Sequence, residues 1–270
     1  HLQIGRHLLH CDLHKGTREE HITDIVNHLN AGTHLLEADT EKVELAQLNL
    51  IVGKRAKAMA AYSPALKYLT TGMALLGANC WPKYHQLTFD FHKERAEVEC
   101  LRGNCEQSEA LLRIALEHAQ TDLEKAEIYD LQIMGLNLSA KYEEAIQIGR
   151  TALSLLGIHL PEAQDVQPAL QSEIAELKEL LREKQIATLI HEPELTLPEG
   201  KIAIQVLDKL ILSTFQSHRD IYRLIVAKIV NISLKYGQTP EAAYGYAQYG
   251  ALLGSMWGYY KAGYEFGMLA

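Results

Sequence analysis

The feature that most constrains this chain is a phrase of small and large apolar residues, set at helical spacing, that returns along it. In residues 141–157 (KYEEAIQIGRTALSLLG), Tyr142, Ala145, Ile148, Gly149, Ala152, Leu153 and Leu156 recur at three- and four-residue steps, so they share one helix face. Ala145, Gly149 and Ala152 are small, which lets a second helix approach closely there. Glu143, Glu144 and Arg150 take the opposite face. Aligned on Ala65, Ser108, Ala145 and Ala243, the copies of this phrase are separated by 43, 37 and 98 residues. The first two spacings suit repeats of two helices each, roughly 34–47 residues long. The third leaves room for two more units, one of them matching poorly.

The rest of the chain is consistent with helices throughout. It has 270 residues, 47% hydrophobic and 22% charged, enough apolar material for a sizeable core. Only seven prolines occur, mostly where segments begin, and no run alternates as a half-buried strand would. The first segment is expected over residues 1–14, closed by Gly16. Thr17-Arg-Glu-Glu20 then has the spacing of a capping box ahead of a stripe of Ile22, Ile25, Val26 and Leu29. A long helix is expected from Asp39 or Thr40 to about Ala60, with Ser63-Pro64 capping its partner. Residues 77–82 read as a loop. Helices over 83–102 and 105–120 turn at Gly103-Asn104, and Thr121-Asp-Leu-Glu124 is a second capping box opening 122–139. Residues 158–200 carry four prolines around one charged helix at about 169–189, with Glu173, Glu176, Lys178, Glu179, Arg182 and Glu183 read as its solvated side. Apolar helices follow over 201–216 and 221–235, and Thr239-Pro240-Glu241 caps the next. Eight of thirteen tyrosines lie between Tyr222 and Tyr264, a pattern read first as interface packing.

Two resemblances rest on these residues. The Tyr-x-x-Ala-Leu/Ile phrase, following a helix that carries a small residue (Gly53, Ala96), resembles tetratricopeptide-type repeats in a degenerate form. Asn49, His92 and Tyr129 stand where that family has an early aromatic residue. A broader resemblance is carried by HLQIGRHLL (1–9), DIVNHLN (24–30), residues 44–76 and LKYGQTPEAAYGYAQYG (234–250). These are similar to the helical-repeat region of very large bacterial signalling proteins. In those, a serine/threonine kinase domain and a P-loop ATPase precede the region, and a GAF domain with a histidine kinase often follows. The resemblances imply an all-α fold, a right-handed α-solenoid of antiparallel helix hairpins. They divide the chain into N-terminal helices at 1–38, joining an upstream module, and a solenoid at 39–270 with an irregular repeat at 158–200. Both ends read as cuts within a longer chain.

The chemistry searched for is mostly missing from the sequence. There is no GxxxxGK[ST], no GxSxG, no HExxH and no kinase catalytic-loop phrase, so the segment is expected to be non-catalytic and without cofactors. Formal charge is −8, with no dense Lys/Arg run to neutralise phosphates, so nucleic acid is not the expected partner. Four cysteines (Cys11, Cys80, Cys100, Cys105) include no CxxC and read as thiols in a reducing cytoplasm. No apolar stretch reaches the length of a membrane span. Seven of thirteen histidines fall in the first 34 residues, and His10 with His14, beside Cys11, is the one pair spaced to share a metal on a helix face. A metal is not the expected reading, because a site needs three or four convergent ligands.

What stacked helix pairs do well is bind a partner along an extended concave surface. The resemblance implies that residues just beyond the small position of each first helix line that surface. Carried onto this chain, these are Lys54 and Lys57 after Gly53, Glu97 after Ala96, Met134 and Asn137 after Ile133, and Ile232 and Lys235 after Asn231; Lys93, Asp130 and Lys228, a turn earlier in their helices, are expected to face the same way. They suggest a protein or peptide partner with acidic ends, either a separate molecule or another domain of the same chain. The function expected is a protein-interaction scaffold or sensor. Its rivals are a free-standing peptide-binding adaptor and a metal-binding module at the histidine cluster.

Overall fold

A computed structural model describes residues 1–15, 18–182 and 184–270, without the side chains of residues 10–20 and 163. The helix stop expected at Gly16, the capping box expected from Thr17 and the His10–Cys11–His14 set all lie outside what is described. Among the described residues there are helices and turns but no strand; one isolated parallel bridge joins Glu194 to Gln238. The chain forms two compact units, His1–Ala119 and Gln120–Ala270. The division falls beyond the first two helices, which belong with the residues that follow them.

The first unit holds α1 (Leu2–Lys15), α2 (Arg18–Asn30), α3 (Asp39–Ala58), α4 (Tyr62–Leu75), α5 (Cys80–Lys83), α6 (His85–Leu101) and α7 (Cys105–His118). Consecutive helices pack in pairs: α1 on α2, α3 on α4 and α6 on α7. The expected α2 stripe of Ile22, Ile25, Val26 and Leu29 is buried against Leu2 and Leu45. The expected loop at 77–82 instead contains the single turn of α5, which places Trp81 over α6.

The second unit holds α8 (Asp122–Leu138), α9 (Tyr142–Leu155), α10 (Val166–Leu181), α11 (Pro198–Ser217), α12 (Arg219–Tyr236), α13 (Ala242–Trp257) and α14 (Tyr260–Leu269). Here α8 packs on α9 and both receive α11, while α12 receives both α10 and α11 before α13 and α14 pair. The capping box at Thr121 forms: its Oγ accepts from the Glu124 amide at 3.1 Å, and the Glu124 carboxylate accepts from the Thr121 amide at 3.3 Å.

One turn recurs at the repeat spacing. Ala60, Gly103 and Ala140 each adopt positive φ (56°, 83° and 55°), at the same 43- and 37-residue separations as the repeat phrase. The next amide in each case reaches back five residues at 2.9 Å: Ala61 to the Ala56 carbonyl, Asn104 to Glu99 and Lys141 to Leu136. This is the Schellman closure of a helix C-terminus, which satisfies a carbonyl left without an amide. Two of the three left-handed residues carry a Cβ, a conformation that costs an L-residue roughly 1–2 kcal/mol. Geometry, and not glycine placement, defines the turn.

The small positions meet across each pair. Gly53 faces Ala65, Ala96 faces Ser108 and Ile133 precedes Ala145, each twelve residues apart in the chain. The Ser108 hydroxyl donates to the Ala96 carbonyl at 2.8 Å, while Ala65, Ala145 and Ala152 are fully buried. Gly149 is tightly packed: a Cβ there would lie 2.5 Å from Leu210 of α11. The last copy needs a correction. Ala243 is only half-buried, and Ala242 is fully buried with Tyr246 and Tyr249 beside it. The register of α13 is therefore one residue earlier than the sequence alignment gives.

One helix start and one helix end differ from expectation, and one cap forms as expected. Ser63 does not cap α4, which begins at Tyr62 behind Ala61. Pro64 is nonetheless in the first turn, where a missing amide costs little. At α13 the cap comes from Thr239, whose hydroxyl accepts from the Ala242 amide at 3.2 Å. The charged helix of the irregular stretch ends at Leu181, and a 3-10 segment, Ile186–His191, follows.

Candidate partner-binding site

The residues standing in the early-aromatic position show how the chain compensates for departing from its repeat. Asn49 is fully buried, and its amide exchanges two hydrogen bonds of 2.8 Å with Asn30 of α2 and donates a third of 2.9 Å to the Leu45 carbonyl. A buried amide so satisfied avoids the 1–3 kcal/mol or so that an orphaned group costs. His92 is buried beneath Trp81, ring centroids 4.8 Å apart, with Nδ1 2.9 Å from the Thr88 carbonyl. Burial, more than the nearby Arg95 and His118, pushes its pKa down.

The candidate residues fall into three groups, each inside one unit. In the first unit, Lys57 Nζ of α3 sits 2.6 Å from Glu94 and 2.5 Å from Glu97 of α6, and Lys54 is 3.6 Å from Glu94. Burial acts to lower the Lys57 pKa, but the two carboxylates outweigh it and hold the ammonium above its ordinary value. Lys93 lies 3.4 Å from Asp90 one turn earlier and over the Phe89 ring.

In the second unit, buried Asp130 of α8 holds Lys209 of α11 through both oxygens, at 2.8 and 2.7 Å. Asn137 donates to the Lys209 carbonyl at 2.8 Å and accepts from Ser213 at 2.5 Å. Met134, between them, is half-buried. These residues bind α8 to α11.

Lys228, Ile232 and Lys235 of α12 come together with Asn231 on the wall of one cavity of about 460 Å³. Opposite stand Glu173 and Glu176 of α10, and Leu156, Ile158, Leu195 and Leu197 supply apolar wall. Glu173 was expected to solvate its helix. Instead it is mostly buried, 2.6 Å from Lys228 Nζ, and its second oxygen takes a 2.5 Å hydrogen bond from the Asn231 amide. Lys235 pairs with Glu176 at 2.6 Å; this hydrogen bond holds the Lys235 pKa above its ordinary value. The lysines read from sequence as open charges are thus ion-paired within their own units.

Asn231 is 2% exposed, and its Oδ1 has no hydrogen-bond partner. Its orientation is fixed, because the amide nitrogen faces two acceptors, the Glu173 carbonyl at 3.0 Å and the Glu173 carboxylate at 2.5 Å. Exchanging oxygen and nitrogen would set oxygen against oxygen. A buried acceptor without a donor costs about 1–3 kcal/mol, and this oxygen is closed off from solvent, so the cost is internal to the packing of α12. Chemically the site can grip an apolar group and accept a hydrogen bond; no nucleophile–base pair is assembled there.

Glu173 was assigned to the wrong role, because a carboxylate on a charged helix looks the same in sequence whether its neighbour is water or lysine; Glu176 is exposed as expected. The spacing that would have marked them is that of Lys228 and Lys235, one face of α12, matched by Glu173 and Glu176 on α10. Among the described residues no three His, Cys, Asp or Glu side chains are disposed to hold a metal ion. No described helix is long and apolar enough to cross a membrane.

Compared with known proteins, the chain is similar to hybrid signal transduction histidine kinase G of Dictyostelium discoideum. The two are 21% identical over 276 residues, covering 92% of this chain and 8% of that protein. The chain therefore spans a small fraction of its relative's length. No family model matches it, and no solved structure matches it.

Proposed function

We propose that this chain is a non-catalytic partner-binding segment of a large multidomain signalling protein, working in the cytoplasm. Its helix pairs, on this reading, stack as degenerate tetratricopeptide-like hairpins of an α-solenoid. The recurrent Schellman turn at Ala60, Gly103 and Ala140 supports the repeat. Signalling is supported by the similarity, over nearly the whole chain, to a hybrid histidine kinase many times its length. Kinase and ATPase activities belong, on this proposal, to domains outside the segment.

The observation that carries partner binding is the α10–α12 cavity, with its apolar walls and the charged groups of Glu176, Glu199 and Lys235. Pockets that bind ligands pair apolar lining with a few fixed polar groups, and a peptide supplies both side chains and N–H donors. The partner is a protein or peptide, either a separate molecule or another domain of the same protein. A displayed library of random dodecapeptides, selected on the chain, tests this. Enriched peptides should bind the wild type and lose at least tenfold in affinity against Ile232→Lys, which puts a charge on the apolar wall. Peptides that bind both proteins equally, or no enrichment at all, would remove the proposal. Calorimetry with ATP should give no heat of binding; stoichiometric binding would contradict the non-catalytic reading.

A further inference from the structure

A second cavity, of about 620 Å³, lies within the Gln120–Ala270 unit and shares no lining residue with the first. It forms where the end of α10, the residues after it, the end of α13 and the start of α14 come together. Tyr249, Leu253 and Phe266 close its back and are buried, while Leu181, Ile186 and Tyr259 offer apolar surface that solvent reaches. Among the described residues, four basic side chains line it, Lys178, Arg182, Lys184 and Lys261, against one carboxylate, Glu265. In a chain of formal charge −8 this is a local reversal of sign. Only Lys184 is firmly held, 2.8 Å from Glu192. Arg182 lies 3.6 Å from Glu179 with both side chains 75% exposed, and Lys261, 91% exposed, is 3.9 Å from Glu265. Pairs so wide and so wet contribute little. Lys178 has no carboxylate within ion-pair distance among the described residues. Lys178 and Arg182 stand at the C-terminal end of α10, where a helix favours cations. Lys261 stands in the first turn of α14, which carries no acidic residue, and there a helix disfavours a cation.

From the reversed charge and the apolar wall beside it we infer that this cavity binds a small amphiphilic anion, a carboxylate or phosphate on an aliphatic or aromatic body. The inference is independent of the partner-binding reading above. The volume falls within the roughly 300–1,000 Å³ of sites for small molecules. The body of the ligand covers Leu181, Ile186 and Tyr259, and its head meets the basic rim, where charge-assisted hydrogen bonds are stronger than neutral ones. An anion also offsets the lysine at the start of α14. A cationic amphiphile is repelled by the same rim. A long polyanion gains the rim but meets the negative charge of the rest of the chain. In the sequence Lys178 and Arg182 read only as the solvated side of a charged helix. Both are exposed as expected, and the fold sets them around one cavity with Lys261.

Calorimetry of the whole chain with decanoate and with decyl phosphate, each kept below micelle formation, tests this. Decanol and decyltrimethylammonium serve as neutral and cationic counterparts. One site is expected for the anions, with the counterparts at least tenfold weaker. Lys178→Glu combined with Lys261→Glu should weaken decyl phosphate at least tenfold, and Lys178→Arg should keep most of the affinity. Tyr259→Ser removes apolar wall just ahead of α14, where serine is itself a good cap, and should weaken both anions at least threefold. Lys141→Glu, a charge reversal at an exposed residue of the same unit, should change nothing. All these side chains are exposed, and thermal melts establish that each variant folds. No heat with either anion, equal binding of decyltrimethylammonium, or anions indifferent to Lys178 and Lys261 would overturn the inference. Cosedimentation with phosphatidylcholine vesicles carrying phosphatidic acid, without binding of the monomeric anions, would overturn it in favour of a membrane surface. Ile232→Lys should leave anion binding unchanged, so this result and the fate of the α10–α12 cavity are read separately.

Discussion

Leu69 and Leu112 in the first unit and Gly149 in the second occupy the same place in the repeat phrase, four residues beyond Ala65, Ser108 and Ala145. The two leucines are buried, and Leu69 lies against Gly53 of its partner helix. At Gly149 the space is filled from outside the pair by Leu210 of α11, and an added Cβ would lie 2.5 Å away. The contrast belongs to this position and not to the whole of each unit: one helix turn on from Leu69, Phe91 of α6 fills the space at Gly72 of α4, where an added Cβ would also lie 2.5 Å away. The polar faces also differ. Lys57 is matched by two carboxylates across α3 and α6, while the α10–α12 face ends in an unpartnered oxygen and a cavity. The irregular stretch 158–200 makes this difference, because α10 and the segment after it come between helices that would otherwise pair in sequence. A repeat that departs from its pattern is where a distinct site forms.

The largest test of that contrast is Gly149→Leu. In sequence it makes the second unit more like the first, yet it overpacks against Leu210 and should cost about 3 kcal/mol in urea denaturation. Adding Leu210→Ala should recover part of the loss. A neutral Gly149→Leu would show that this packing is wrong. Ala145→Leu, at another fully buried contact, should cost about 1–3 kcal/mol.

Removing the carboxylates comes next. Glu173→Ala leaves Lys228 and the Asn231 amide without their partner in a largely buried setting, and should cost about 2 kcal/mol. Glu94→Ala leaves Lys57 its second carboxylate, Glu97, and should cost about 1 kcal/mol or less. Equal losses at the two sites would erase the distinction between the faces.

Acid should affect the units in opposite directions. Burial raises the Asp208 pKa to about 6, with Glu241 and Asp130 adding to the rise and Lys209 opposing it. A carboxyl with a raised folded pKa gives stability that is present below its unfolded value near 4 and lost as pH climbs through about 6. Lowering pH from 7 to 5 therefore favours the second unit through this group. His92 has a lowered folded pKa, so its contribution is present above its unfolded value near 6.5 and lost as pH falls through the folded one. Amide hydrogen exchange at pH 5 and 7 should show α11 gaining protection relative to α6. Asp208→Asn should abolish the gain, and His92→Gln should blunt the loss in α6.

The smallest effect belongs to the turns. Ala60→Gly and Ala140→Gly relieve a left-handed alanine and should each stabilise by up to about 1 kcal/mol, where Gly103→Ala should do the reverse. Thermal melts of the three variants check this.

Most of the helices were legible from the sequence because apolar periodicity reports burial directly. The Ala65, Ser108 and Ala145 register, the α2 stripe and the Thr121 box follow from spacing alone. The Ala243 register was misread because Ala242 and Ala243 are adjacent and both small, and only packing against Ile229 and Phe266 distinguishes the faces. The site was half legible. Lys228, Ile232 and Lys235 lie together as their helical spacing implies, but their neutralisation by Glu173 and Glu176 depends on how α10 packs against α12, which local sequence does not encode. The part of Asn231, whose amide holds the Glu173 carboxylate at 2.5 Å, depends on the same packing.

The account stands most directly on whether the α10–α12 cavity receives a partner. Titrating 15N-labelled chain with the highest-affinity selected peptide, and following the Asn231 side-chain amide and the Ile232 backbone by NMR, measures this in one experiment. Saturable shifts of both, absent in Ile232→Lys and accompanied by small changes at Asn49 of the other unit, are the predicted result. Binding that leaves Asn231 and Ile232 unmoved would contradict it.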